Sequence, residues 1–107
     1  MLEHILGDMV FSWNEEKAEI NSLKHGVSFE EAATAFADIN AQIYDDEEHS
    51  DDEKRFVLLG YSKISRLLIV CHCYRGIDDN VIRIISARKA TSYERQKYEQ
   101  RRWFYER

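Results

Sequence analysis

No stretch of this 107-residue chain approaches the roughly 18 consecutive apolar residues that suggest a membrane-spanning helix. The opening, Met1-Leu2-Glu3-His4-Ile5-Leu6-Gly7-Asp8, has no basic region and no long apolar region, so no secretory signal is expected. Cysteine is scarce: Cys71 and Cys73 flank His72, and on a strand their two sulfurs point to one face. Such spacing suits buried reduced thiols rather than a disulfide framework, which points to a reducing cytoplasm. It does not suit zinc either, because His72 would face away from both thiols, and His4, His25 and His49 have no ligand spacing. No linker, repeat or second domain interrupts the chain. With 44% hydrophobic residues, it has the material for one small core.

What is present is unevenly placed. The net charge of −5 speaks against a general nucleic-acid binder, yet residues 1–82 carry −10 and residues 83–107 carry +5. The run from Asp45 to Glu53 holds seven acids in nine residues. It reads either as a solvated loop or as a docking surface for a basic partner; its spacing does not match a calcium loop.

Three helices are marked by Ser or Thr followed three residues later by Glu: Ser12 with Glu15, Ser28 with Glu31 and Thr91 with Glu94. The first runs to about Lys24 and stops at Gly26. The second carries Phe29, Ala32, Ala33 and Phe36 as an apolar stripe. The third runs from about Ser92 to beyond Arg101. Between the second and third helices the period becomes strand-like over 41–44, 55–61, 66–74 and 81–87, with turns at Ser62–Ser65 and Gly76–Asn80. The expected architecture is α+β: two N-terminal helices, a four-stranded antiparallel sheet and a C-terminal helix, in the order α-α-β-β-β-β-α.

Several residues could carry chemistry. Arg83 and Arg88 sit in a β-branched strand and suit a phosphate, since a guanidinium keeps its charge and donates in pairs. Strict alternation sends them to opposite faces, unless the strand ends by Ala87. Each can equally be an edge arginine paired with an acid. Lys24 and His25 close the first helix, where the dipole favours a cation. His25 is then an acid/base candidate and Lys24 a phosphate contact, or His25 is simply a cap. Mid-strand His72 is a substrate contact or a satisfied core residue. Tyr98, one turn beyond Glu94, is an acid, a stacking platform or a packing residue. Arg95 adds a further substrate contact on the same helix.

Phe11 to Ala18, Asn21, Lys24 to Ala32, Phe36-Ala37-Asp38, His49-Ser50, Glu53 with Arg55, Gly60, Arg83 to Arg88, Ala90-Thr91 and Glu94-Arg95 together resemble the BrnT-type toxins. The resemblance spans roughly residues 11 to 98. It implies a bacterial type II toxin, an endoribonuclease of RelE-like fold. It also implies a cognate, BrnA-like ribbon-helix-helix antitoxin, with operator DNA bound only through the toxin–antitoxin complex. RNA would be cut without metal or other cofactor, by attack of its own 2′-OH. The alternative is a non-catalytic or degenerate toxin-like module that acts by binding an antitoxin. Residues 1–10 precede the family's usual start and read as an extension or a loose arm. The aromatic and basic tail 101–107 either extends the last helix or stacks on RNA bases.

Overall fold

The structure is a computed structural model that describes the backbone of residues 3–106 and the side chains of residues 3–101. Strands β1 (Glu3–Leu6) and β2 (Met9–Ser12) come first, followed by helices α1 (Glu15–His25) and α2 (Phe29–Thr34), the latter ending in a 3-10 turn at Ala35–Ala37. Then come β3 (Gln42–Asp45), β4 (Phe56–Tyr61), β5 (Leu67–Arg75), β6 (Val81–Lys89) and α3 (Ser92–Glu106). The strands form one sheet in the order β1-β2-β6-β5-β4-β3. All neighbours are antiparallel except β2 and β6, which run parallel.

The expected architecture, two N-terminal helices ahead of a four-stranded antiparallel sheet, is therefore corrected: two strands precede the helices, and the sheet is six-stranded and mixed. Within the segment read as an extension or loose arm, Glu3–Leu6 and Met9–Ser12 form a hairpin whose turn places Gly7 at φ 60°. Ser12 was expected to cap α1, but it ends β2. The cap is Asn14, whose Oδ1 accepts the Lys17 N–H at 3.0 Å. The other two caps lie where expected, although only the second is a reciprocal box. Ser28 Oγ accepts the Glu31 N–H at 3.0 Å, and Thr91 and Glu94 cap each other at 2.8 and 3.2 Å. Strands β3 to β6 start and end within two residues of the expected bounds. The backbone of α3 runs on through the tail to Glu106, while base stacking by the 102–107 side chains lies outside the described residues.

Alternation splits the apolar residues into two cores, one on each side of the sheet. Leu58, Leu68, Val70, Ile84 and Ala87 pack with Phe11, Trp13, Val27, Phe29 and the alanines of α2. Leu59, Leu67 and Ile69 face the other way and pack under Tyr98 of α3. Helix α2 thus covers one face, α1 flanks the sheet along the β6 edge, and α3 covers one end of the other face. Gly60 admits the α2 end closely: a Cβ there would lie 3.1 Å from the Ala35 carbonyl oxygen and from the Ala41 Cβ. None of the described helices is long and apolar enough to cross a membrane.

β2 lies beside β6 only from Val81 to Arg83, so the rest of that edge needs another partner. Asn21 of α1 supplies it. Its Oδ1 accepts the Ala87 N–H at 3.1 Å, and its Nδ2 donates to the Ala87 and Val27 carbonyls at 2.9 and 3.0 Å. The side chain is 6% exposed, so water cannot readily take its place. Asn21→Ala should lower the unfolding free energy by about 3 kcal/mol, because it strands buried backbone groups. Urea denaturation of the two proteins would measure this; a change below about 1 kcal/mol would show that the edge is held elsewhere.

Candidate active site

β6 contains one more residue than its partner β5 over their pairing. Cys71 lies opposite Ser86 and His72 opposite Ile84, which leaves Ile85 as a bulge. The bulge resets the alternation. Ile84 and Ala87 both face the large core, so Arg83, Ser86 and Arg88 all face the α3 side. The expectation that Arg83 and Arg88 part to opposite faces fails for this reason, although the strand continues to Lys89.

Register then lays out this face in rows. Arg83 lies opposite Cys73, and Arg55 immediately precedes β4 on the strand beyond. Ser86, Cys71 and Val57 form the next row, and Arg88, Ile69 and Leu59 the third. α3 closes the face at the third row.

Arg88 is held by Glu94, with Nη1 and Nη2 donating to the two carboxylate oxygens at 2.8 and 2.9 Å. Nη1 also donates to the Lys89 carbonyl at 3.2 Å. Its Nε–H and the second Nη2 hydrogen remain without a described partner. The Arg88 guanidinium, helped by the Thr91 N–H, holds the Glu94 carboxyl down at about 2. At the other end, Arg83 shares a pocket of about 70 Å³ with Asn14, Lys17, Glu53, Arg55 and Arg75. Arg75 donates to both Glu53 oxygens, at 2.7 and 3.2 Å, and lowers the Glu53 pKa. Burial, then the Glu53 carboxylate, pushes the Cys73 thiol up.

The remaining expected residues fall in different places. Lys24 and His25 follow Asn21 by three and four residues, the spacing at which helical side chains share a face. α1 follows the β6 edge, with Lys17 in the Arg83 pocket and Asn21 on Ala87. Lys24 is exposed and His25 half-buried at the C-terminal end of that helix. His72 is completely buried on the opposite face, against Phe36, with Nδ1 near the Val70 carbonyl at 3.1 Å and Nε2 near the Tyr74 hydroxyl at 3.2 Å. Burial lowers its pKa, and the neutral ring sits in the core. Tyr98 is 1% exposed and donates to Asp38 Oδ2 at 2.7 Å, as a packing residue does. Arg95 is exposed and donates to the Tyr61 hydroxyl at 2.9 Å.

Lys17, Arg55 and Arg75 were not singled out as site residues. Their signal was register: Arg55 and Arg75 share parity with Cys71 and Cys73 once β4 and β5 are paired. The acidic segment 45–53 forms an open loop that reaches this pocket through Glu53. Among the described residues no group of three or more His, Cys, Asp or Glu is arranged to hold a metal ion.

A family described as "Ribonuclease toxin, BrnT, of type II toxin-antitoxin system" matches residues 13–94. Among solved structures, the chain is similar to the crystal structure of the ribonuclease toxin BrnT from Brucella abortus, with a TM-score of 0.56 and 19% identity. That match covers 77% of this chain and 96% of the other. No curated protein matches.

The Arg88–Glu94 pair has a pH signature. Glu94 falls from 4.5 to about 2 on folding, so its contribution is complete above pH 4.5 and is lost as the pH drops toward 2. At pH 7, Glu94→Gln should cost about 2 kcal/mol, discounted for an Arg88 side chain that is 41% exposed. Urea titrations at pH 7 and pH 2.5 should show the gap between variant and wild type shrinking with acid. A gap that stayed constant would mean that the pair is not what Glu94 contributes.

Proposed function

The chain belongs to the BrnT family of ribonuclease toxins of type II toxin-antitoxin systems, and from that premise we propose that it cuts RNA without metal, on the α3 side of its sheet. The observation that carries this reading is the β6 bulge, which gathers Arg83 and Arg88 on one face beside the helix that bears Lys24 and His25.

In this reading the RNA 2′-OH attacks the adjacent phosphorus, forming the O2′–P bond. The P–O5′ bond breaks, leaving a 2′,3′-cyclic phosphate and a 5′-hydroxyl. Arg88 neutralises the charge that builds on the phosphorane with its remaining N–H groups, and Glu94 positions its fork without covering it. His25 takes the proton from the 2′-OH or gives one to the leaving 5′-oxygen, with water completing the other transfer, and Lys24 draws the phosphate in. Arg83 holds the strand further along. His72 and Tyr98 are assigned packing roles, and Arg95 a peripheral contact with the RNA backbone.

A type II toxin has an antitoxin protein as its partner. The antitoxin is read here as a ribbon-helix-helix protein that covers the basic face and contributes the operator-binding surface. The acidic 45–53 loop offers it a complementary patch. The cytoplasm is the matching compartment, since both cysteines are free thiols there.

Purified protein incubated with single-stranded RNA in EDTA should leave cyclic phosphate ends. Arg88→Ala and His25→Ala should each slow cleavage at least about a hundredfold with the fold intact. RNA carrying 2′-deoxy residues should stay whole. Folded wild type that leaves RNA intact, alone and with ribosomes added, would overturn the catalytic reading in favour of a module that works by binding its antitoxin.

A further inference from the structure

The pocket at the start of β6 stands apart from the Arg88 end. Arg83 and Arg88 are five residues apart along the strand, a span of about 15 Å. One phosphate group cannot touch both strand positions, and the row of Val57, Cys71 and Ser86 lies between them. The pocket that Arg83 lines is rich in cations. Lys17, Arg55, Arg75 and Arg83 line the pocket against a single carboxylate, Glu53. Glu53 is bound to Arg75. The other acids nearest in sequence to Arg55, at Asp51 and Asp52, are exposed in the loop.

Among the described residues, four guanidiniums are engaged by acids or a hydroxyl: Arg66 by Glu31, Arg75 by Glu53, Arg88 by Glu94 and Arg95 by Tyr61. Arg55 and Lys17 differ. Among the described residues, no hydrogen bond or ion pair engages the Arg55 guanidinium or the Lys17 ammonium. Arg55 is half-buried at the head of a strand, and the carboxylate whose pKa it helps to lower, Glu53, is hydrogen-bonded to Arg75 instead. Lys17 and Arg55 come from unrelated elements, α1 and the β4 approach, and converge on the same pocket as Arg83.

We propose that Lys17, Arg55 and Arg83 form a second phosphate site, which holds an RNA backbone phosphate flanking the one that is cleaved. Asn14 adds an amide at its rim, and the Arg75–Glu53 pair fixes its floor. The inference rests on the reading that RNA lies along this face, and it makes the substrate a strand of several nucleotides rather than a single dinucleotide step. The acidic loop, anchored by Glu53 at the same pocket, keeps the rest of that edge unattractive to RNA and so directs the strand inward.

The test uses the full chain and its Lys17→Ala, Arg55→Ala and doubly substituted forms, with Arg55→Lys as the charge-conserving control. Binding of a fluorescent eight-nucleotide RNA, fully 2′-O-methylated so that it cannot be cleaved, is measured between low and moderate salt. The double variant should bind about tenfold or more weakly. Its plot of log affinity against log salt should flatten by about 0.7 per cation lost. Arg55→Lys should recover most of the slope. In cleavage, the double variant's loss should appear in KM and be larger for the long strand than for a dinucleoside monophosphate. Wild-type affinity and slope in the double variant, or an equal loss on long and short substrates, would overturn the second site. Should wild type bind the oligomer with the expected slope and yet cut no RNA, the pocket stands and the catalytic reading falls instead. Equal urea midpoints for the variants and wild type exclude misfolding as the cause.

Discussion

Everything on the functional face depends on how the open edge of β6 is closed. A parallel neighbour serves that edge for three residues and then turns away into α1, because a parallel pairing needs a long connection and the chain builds its helices there. The Asn21 carboxamide then does for Ala87 what a strand backbone would do, giving one acceptor and one donor in register. It also holds the Val27 carbonyl, so the same side chain fixes the turn between α1 and α2. A carboxamide suits this task because it carries both an acceptor and two donors on one rigid plane. The consequence is geometric. α1 therefore runs alongside β6, which puts Lys17 in the pocket that Arg83 lines.

The second constraint is the extra residue at Ile85. Without it, period-two alternation would send one of the two arginines into the large core, where a guanidinium has no partner. With it, Ala87 fills that core position and Arg88 turns to the α3 side. Nothing in Ile84-Ile85-Ser86 announces the bulge: there is no glycine, and every residue suits a strand. The bulge follows from pairing with β5, a long-range fact that local patterning does not contain. Hence the two arginines of the candidate site could be picked out as residue types, while their shared face could not.

The same division runs through the fold. Four strands and two of the three capping signals could be read because they depend on neighbours within a few residues. The N-terminal hairpin was hidden by a competing local signal. Ser12-Trp13-Asn14-Glu15 satisfies the pattern of a capping box, yet Ser12 is claimed by β2 and Asn14 caps instead. Trp13 shows why the strand wins. It is 1% exposed and packs edge-on against Phe29 while His4 stacks on it at 3.7 Å, so burying it outweighs an earlier helix start. The parallel pairing of β2 with β6, about seventy residues apart, had no local trace at all.

Charge on this protein is best understood by asking which groups are already satisfied. A net charge of −5 suggests repulsion from RNA, but seven of the twenty acids lie in the 45–53 segment, and Glu31 and Glu94 are bound to arginines that hold elements together. Glu31 reaches Arg66 rather than completing its own helix cap, and so ties α2 to the start of β5. Glu94 closes its cap and still grips Arg88, which makes the start of α3 and the end of β6 one unit. Each such pair neutralises a cation where the fold needs rigidity. Lys17 and Arg55, which make no such pair among the described residues, line the pocket at the start of β6. An anion approaching that pocket therefore meets a field set by local, unspent charges rather than by the net charge, and within a Debye length of about 10 Å the local charges dominate.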